Sequence, residues 1–313
     1  MRRRDAFLIL LAFLLPMPGA RAASSDTPLD VQWLDATWDF DRPAESETRF
    51  RSELPQLPPR GAASLELRTQ IARAQALQRR FDAAHATLDA VKRELPSQPP
   101  RVFVRYLLER GRTFNSSGQP ARAVPLFREA LDQARAAHED FLAIDAAHML
   151  GIAAPPEQRL EWNLEAVAMT ERTDDARSKR WLASLYNNIG WTYHDHGDYA
   201  AALAYFEKAL PAWQVRGGAE KVRIAWWSIA RAYRSLGRLD EALAIQQRLE
   251  RETTDDPDGF VYEELGEILL AKGDAVAARP NFARAYTLLS KDPGLQAAAP
   301  ERLGRLRRLG SAE

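Results

Sequence analysis

The sequence predicts an all-α chain built as a solenoid of about six stacked helix–turn–helix units. Three observations lead there: a small residue recurs at a near-fixed interval, a glycine follows most of them seven residues later, and an alanine-led helical stripe follows each glycine. The small residues are Ala72, Gly111, Gly151, Gly190, Ala230 and Gly266, spaced by 39, 40, 39, 40 and 36 residues. A unit of two helices cannot bury both faces alone, so stacking is required for stability.

Helical geometry accounts for each position in turn. Tyr186 lies four residues before Gly190 and Tyr193 three after, which puts all three on one face. The same face recurs as Leu107, Gly111, Phe114; as Trp226, Ala230, Tyr233; and as Tyr262, Gly266, Leu269. The central site is small so that a second helix can approach, and large neighbours fill the gaps beside it. Gly118, Gly197, Gly237 and Gly273 are placed to end the first helices, since glycine adopts the left-handed conformation of a helix C-terminus. The second helices carry Ala84, Ala123, Ala202, Ala242 and Ala278, each followed four residues later by Leu88, Phe127, Phe206, Gln246 or Phe282. Three further on come Val91, Ala130, Ala209, Leu249 and Ala285, positioned to meet the next unit.

The pattern is fullest in "LYNNIGWTYHDHGDYAAALAYFEKAL", residues 185–210, and there the chain resembles the tetratricopeptide repeat family; the resemblance extends over about residues 64 to 290. It implies a right-handed α-solenoid over residues 61–296, with units near 64–97, 101–138, 141–173, 178–216, 219–253 and 258–290. The spacing exceeds the family's usual 34 residues or so, which implies lengthened helices or linkers. Two units depart from the pattern. Arg68 and Gln75 flank Ala72 where large apolar side chains are expected. After Gly151, Pro155 and Pro156 are expected to end one helix early and start the next. Leu160, Leu164 and Val167 are then expected to fill the core stripe of that second helix, three residues ahead of register, and Pro125 to bend another.

The ends lack the repeat. Residues 1–22 read as a secretory signal peptide: Arg2, Arg3 and Arg4 precede an apolar run from Phe7 to Leu15, Pro16 and Pro18 break it, and Ala20 and Ala22 suit a peptidase pocket. Export is expected, to the periplasm in a Gram-negative source, with cleavage after Ala22 or retention as an anchor left open. Residues 23–60 form an extension with one short helix, capped near Asp41 with Pro43 in its first turn. Trp33, Trp38 and Phe40 precede it and "PQLPPRG" follows as a connector; the segment reads as a cover for the first unit or as an aromatic docking tail. Residues 297–313 are expected to form a C-terminal capping helix and tail, with Leu303, Leu306 and Leu309 inward and arginines outward.

Composition narrows the function. The 43 basic residues are matched by 43 acidic ones, which argues against a general nucleic-acid binder. There is no cysteine, hence no disulfide or thiolate metal site, and no later apolar run is long enough to span a membrane. Phosphate loops, HExxH and nucleophile elbows are missing, so neither an enzyme nor a cofactor is expected. The HDH run at His194–His196 is no metal site, because residues two apart on a helix point to different sides. Asp255 and Asp256 lie in a linker composition.

A second stripe on the first helices is the candidate binding face. Asn187, Trp191 and His194 share a face about 100° from the core stripe. The family resemblance implies that this face lines a concave groove. Its neighbours would be His148 and Ile152 on one side and Trp227, Arg231 and Arg234 on the other, flanked by Asn188 and Ser228; further out lie Leu108, Arg112 and Asn115, then Glu263 and Glu267. Asparagine suits a peptide backbone, arginine a carboxylate, and tryptophan supplies contact area. The face lacks the lysines and asparagines over three successive units of the family's carboxylate-clamp variety. The expected partner is a peptide or protein held by a non-enzymatic scaffold. The alternative is a sensory or regulatory input module of a bacterial envelope signalling system.

Overall fold

The computed structural model describes residues 26–311, and those residues form an all-α repeat solenoid. The signal-peptide segment, residues 1–22, lies outside them. After α1 (Val31–Thr37) and α2 (Pro43–Glu53), helices pair as α3 (Ala62–Leu77) with α4 (Phe81–Lys92), α5 (Pro100–Ser116) with α6 (Pro120–Ala136), and α7 (Asp140–Ala153) with α8 (Pro156–Arg172). A short α9 (Ala176–Lys179) intervenes before α10 (Leu182–Asp195) pairs with α11 (Tyr199–Arg216). Then α12 (Ala219–Ser235) pairs with α13 (Leu239–Glu252), α14 (Gly259–Ala271) with α15 (Ala275–Leu289), and α16 (Pro293–Ala298) and α17 (Pro300–Gly310) follow. Each second helix also packs on the first helix of the next unit, and α17 packs on α15, so the stack is continuous from end to end.

One packing rule builds the pairs. A Cβ added at Gly111 would stand 2.5 Å from the Phe127 ring, at Gly190 2.5 Å from Phe206, and at Gly266 2.8 Å from Phe282. The three rings are almost wholly buried, as is Leu88 in the first unit. The glycine is thus the socket for the ring of its own partner helix. Ala84, Ala123, Ala202, Ala242 and Ala278, the small sites on the second helices, are all buried. Gly118, Gly197, Gly237 and Gly273 take φ of 78°, 80°, 75° and 83°, ending their helices in the left-handed region.

Unit 3 corrects one expectation. The prolines do end α7 at Ala153 and begin α8 at Pro156. Yet Leu160 and Val167 are only half-buried and Leu164 is exposed; the buried stripe of α8 is Asn163, Ala166 and Thr170. Asn163 occupies the socket at Gly151, where an added Cβ would lie 2.5 Å from its amide, and donates Nδ2 to the Gly151 carbonyl at 3.2 Å. The ring partner elsewhere follows its glycine by 16 residues; Asn163 follows by 12. The hairpin is thus shorter by four residues, about one turn of 3.6, which keeps the facing and brings Asn163 to the socket in place of Leu164.

At the N-terminal end, the helix cap also differs. The residue before α2 is Arg42, and Asp39, not Asp41, accepts from the backbone N–H groups of Asp41 and Arg42 at 3.1 Å each. Helix α2 packs along α3, burying Phe50 against Leu67 and Ile71 with Leu29 and Leu34, and Trp33 and Trp38 lean on that cluster. Glu47 fastens it further, accepting from Gln78 at 2.8 Å and Arg80 at 2.9 Å. At the C-terminal end α17 buries Leu303 and Leu306, with Leu309 half-buried.

Candidate functional site

The first helices of successive units present one face to each other's flanks, and it divides into two regions. Side chains meet along it: the Trp191 and Trp227 rings at 5.9 Å, Trp191 and His194 at 5.2 Å, and His194 Nε2 with Ser235 Oγ at 3.0 Å. Trp227 Nε1 donates to the Phe260 carbonyl at 3.1 Å. Asn187, Asn188, Trp191, His194 and Trp227 are all half-buried, each with surface left for a ligand. The Asn188 Nδ2 is enclosed and has no hydrogen-bond partner. Burial, and then the Arg231 guanidinium, holds His194 below the usual histidine range.

Arg231 and Arg234 are a correction. Both are committed to Glu264, a fully buried carboxylate: Arg231 donates at 2.8 Å and Arg234 at 2.5 Å. They serve the link between α12 and α14 and are not waiting for a partner's carboxylate. Glu263 and Glu267 are likewise engaged, by Arg302 at 2.5 Å and by Arg305 of α17. The capping helix therefore places arginines over the last unit's face instead of pointing them all to solvent. Between α12, α13, α14 and α17 lies a cleft of about 260 Å³, with Ile224, Trp227, Phe260 and Val261 among its walls. Ile224 and Phe260 are 40% and 38% exposed, unusual for such side chains.

In units 1–3 the same face is shut. Leu108 and Arg112 are buried, contrary to their place in an open groove. Helix α1 reaches across to α9: Arg177 holds Asp35 through Nε at 2.9 Å and Nη2 at 2.8 Å, and Arg180 adds a contact at 3.3 Å. Trp38 Nε1 donates to Gln70 at 3.0 Å. Beneath lies a network in which Arg112 bonds Glu109 at 2.9 Å and also Asp145. Burial, with the neighbouring Arg112 charge, pushes Arg73 down to about 10. Burial works to raise Asp145, but the Arg112 and Arg73 charges outweigh it and hold the carboxyl below the usual range. His148 packs against the Trp181 ring at 4.8 Å with the planes tilted by 43°, at the edge of this closed region, and Ile152 remains 39% exposed.

Sequence reading followed the stripe at three residues before each small site and one and four after. One helical turn earlier the same stripe carries Arg105, Asp145, Ile224 and Phe260, which the structure places on this face. The signal was available: a position six residues before the small site repeats with the period of the others. Among the described residues no group of three or more His, Asp or Glu is placed to hold a metal ion, and no helix is long and apolar enough to cross a membrane.

Comparison with known proteins fits this architecture. The family models described as tetratricopeptide repeat match residues 105–162 and 181–251. The chain is a tetratricopeptide repeat protein. No curated protein sequence matches it. Its fold is similar to that of BtubC from P. vanneervenii, at a TM-score of 0.55 and 18% identity, covering 72% of this chain and 93% of that one. A tetratricopeptide repeat protein from Parabacteroides merdae aligns at 0.53 and 15% identity, over 89% of this chain and 97% of the other. A signal transduction ATPase with a tetratricopeptide repeat sensor, from Pyrococcus horikoshii, aligns at 0.62 and 15% identity over 84% of this chain and 41% of that one. The TM-scores show a shared fold, and at these identities the likeness is one of fold alone. The tetratricopeptide fold supports a protein–protein interaction scaffold.

Proposed function

We propose that this tetratricopeptide repeat protein is an exported, non-enzymatic scaffold that holds an extended peptide segment of a partner protein on the first-helix face of units 4–6. The observation that carries this reading is the half-buried run Asn187, Asn188, Trp191 and Trp227, ending at the apolar cleft beside Ile224 and Phe260. A peptide backbone needs alternating donors and acceptors, which asparagine amides supply, and its side chains need aromatic area and a pocket. The arginine-led, proline-broken apolar stretch at the N-terminus supports export. The balanced charge suits a neutral peptide more than a polyanion.

A pull-down tests it by comparing Asn187→Ala with Trp227→Ala in one variant and Asp35→Asn in another. The first is expected to lose a partner that the second retains, with both folded by circular dichroism. Equal recovery of every partner by the two would reject the assignment. Export is checked with an alkaline-phosphatase fusion after residue 60, which is expected to be active. A second reading, a sensory or regulatory input module, has a precedent in the repeat sensor of the Pyrococcus horikoshii ATPase; a neighbouring gene for an envelope receptor would favour it.

A further inference from the structure

Helix α1 sits on the solenoid as a ligand would. Both parties to its charged contact lie outside the repeat: α1 precedes the first unit, and α9 stands between α8 and α10. At seven residues α1 is too short to be a stable helix alone in water, so it is ordered by what it touches. Asp35 and Trp38 are three residues apart and share a face. The carboxylate enters the fork of Arg177, from Nε at 2.9 Å and Nη2 at 2.8 Å, while the indole Nε1 donates to the Gln70 amide oxygen at 3.0 Å. Leu34, one residue ahead of the acid, is 2% exposed in the cluster with Leu67 and Ile71.

The fit of this strap is incomplete. A half-open cavity of about 120 Å³ remains beside it, walled by Leu34 and Trp38 from the strap and by Phe141 and Trp181 from the units. Apolar wall that faces water or void forgoes contacts a closer-fitting ligand would make. Arg177 pairs with no other acid among the described residues, and its guanidinium lies 3.5 Å from the centre of the Phe141 ring. Lifting α1 would leave that fork, the Gln70 oxygen and the Leu67–Ile71 surface together, ready for a second carboxylate, indole and apolar side chain.

We propose that units 1–3 carry a docking site for a short helical segment of a partner protein, and that α1 occupies this site in cis until such a segment displaces it. The segment carries an acid, a tryptophan three residues later and an apolar residue just ahead of the acid. A competitor whose side chains also fill the cavity gains contacts that α1 lacks. Tethering gives α1 an effective concentration on the order of millimolar, so the chain's apparent affinity for a competitor is lowered by the small fraction in which α1 is lifted. The site is separate from the open face of units 4–6 and stands whatever that face binds.

Fluorescence anisotropy with a labelled peptide of residues 28–41, PLDVQWLDATWDFD, tests this on the full chain. Asp35→Ala with Trp38→Ala frees the chain's own strap, and this variant is expected to bind the peptide saturably, at least about tenfold more tightly than the parent. A peptide carrying Asp35→Lys should not bind it, and adding Arg177→Ala to the variant should weaken the unaltered peptide about tenfold. Should the double variant not fold by circular dichroism, Asp35→Asn, which removes only the charge, is expected to fold and to gain about fivefold over the parent. No saturable binding by a folded strap variant, equal affinity for parent and variant, or equal binding of the lysine-bearing peptide would each overturn the proposal. A parent chain that dimerises by exchanging α1, read by light scattering, would overturn the partner as occupant in favour of a second copy.

Discussion

Units 1–3 and units 4–6 obey one packing rule, but the same face has a different character in each. Phe127 sits over Gly111 as Phe206 sits over Gly190, with the same 2.5 Å approach to an added Cβ. The stripe turned away from that contact differs. In the first half it is charged, buried and tied down: Arg105, Glu109, Arg112 and Asp145 are all under 9% exposed. In the second half it is amide and aromatic, half-buried, and continuous with a cleft. The repeat fixes where a side chain stands. What lies outside the repeat, α1 at one end and α17 at the other, decides which part of the face stays open. A solenoid can thus be closed over one stretch and receptive over the next with no change in its core.

Substitutions can break or sharpen that contrast. The largest effect is expected at the shared sockets. Gly111→Leu and Gly190→Leu each force a branched side chain into a phenylalanine ring and should destabilise by about 3 kcal/mol. Urea unfolding should find the two losses alike, and a tolerated leucine in either half would refute the common rule. Next comes Glu264→Ala, which strips the buried acid from between Arg231 and Arg234; a loss of about 3 kcal/mol is expected by the same measurement.

Gln246 runs the other way. It occupies the ring position of unit 5, fully buried, with neither amide atom hydrogen-bonded. Gln246→Leu, which copies the Leu88-over-Ala72 pairing of unit 1, should stabilise by about 1–2 kcal/mol. A destabilised variant would show that the glutamine is satisfied by water.

The smallest effect concerns the strap. Burial works to raise the Asp35 carboxyl, but the Arg177 hydrogen bond and charge outweigh it and hold it below the usual range. Its contribution is therefore full above the ordinary aspartate value of about 4 and fades as pH falls through the depressed folded value. Fluorescence of Trp33 and Trp38, followed from neutral pH into acid, should report the loosening. Asp35→Asn should loosen the strap at neutral pH by roughly 1 kcal/mol and shrink the acid-dependent component.

What was legible in the sequence was whatever repeats. The sockets, the glycine stops and the second-helix alanines each recur near every 40 residues, so periodicity alone located them. The closed face was not legible, because its decisive contact joins Asp35 to Arg177 across 142 residues. No local pattern encodes a pairing of that kind. The same limit applies to Arg231 and Arg234. Their spacing marked them as exposed on the stripe, yet a glutamate 33 and 30 residues away claims both. In unit 3 the apolar residues Leu160, Leu164 and Val167 misled, since the socket at Gly151 is filled by a polar Asn163 whose amide caps the glycine carbonyl.

Thiol labelling tests the closed-and-open division most directly, since the chain has no cysteine of its own. Gln70→Cys places a probe beneath the strap at a position 1% exposed, and Asn187→Cys places one on the open face. The probe at 70 should react at least about tenfold more slowly. Adding Asp35→Lys, which repels Arg177 and Arg180, should accelerate position 70 and leave 187 unchanged. Equal rates at the two positions, or no acceleration at 70 with the strap repelled, would contradict the account.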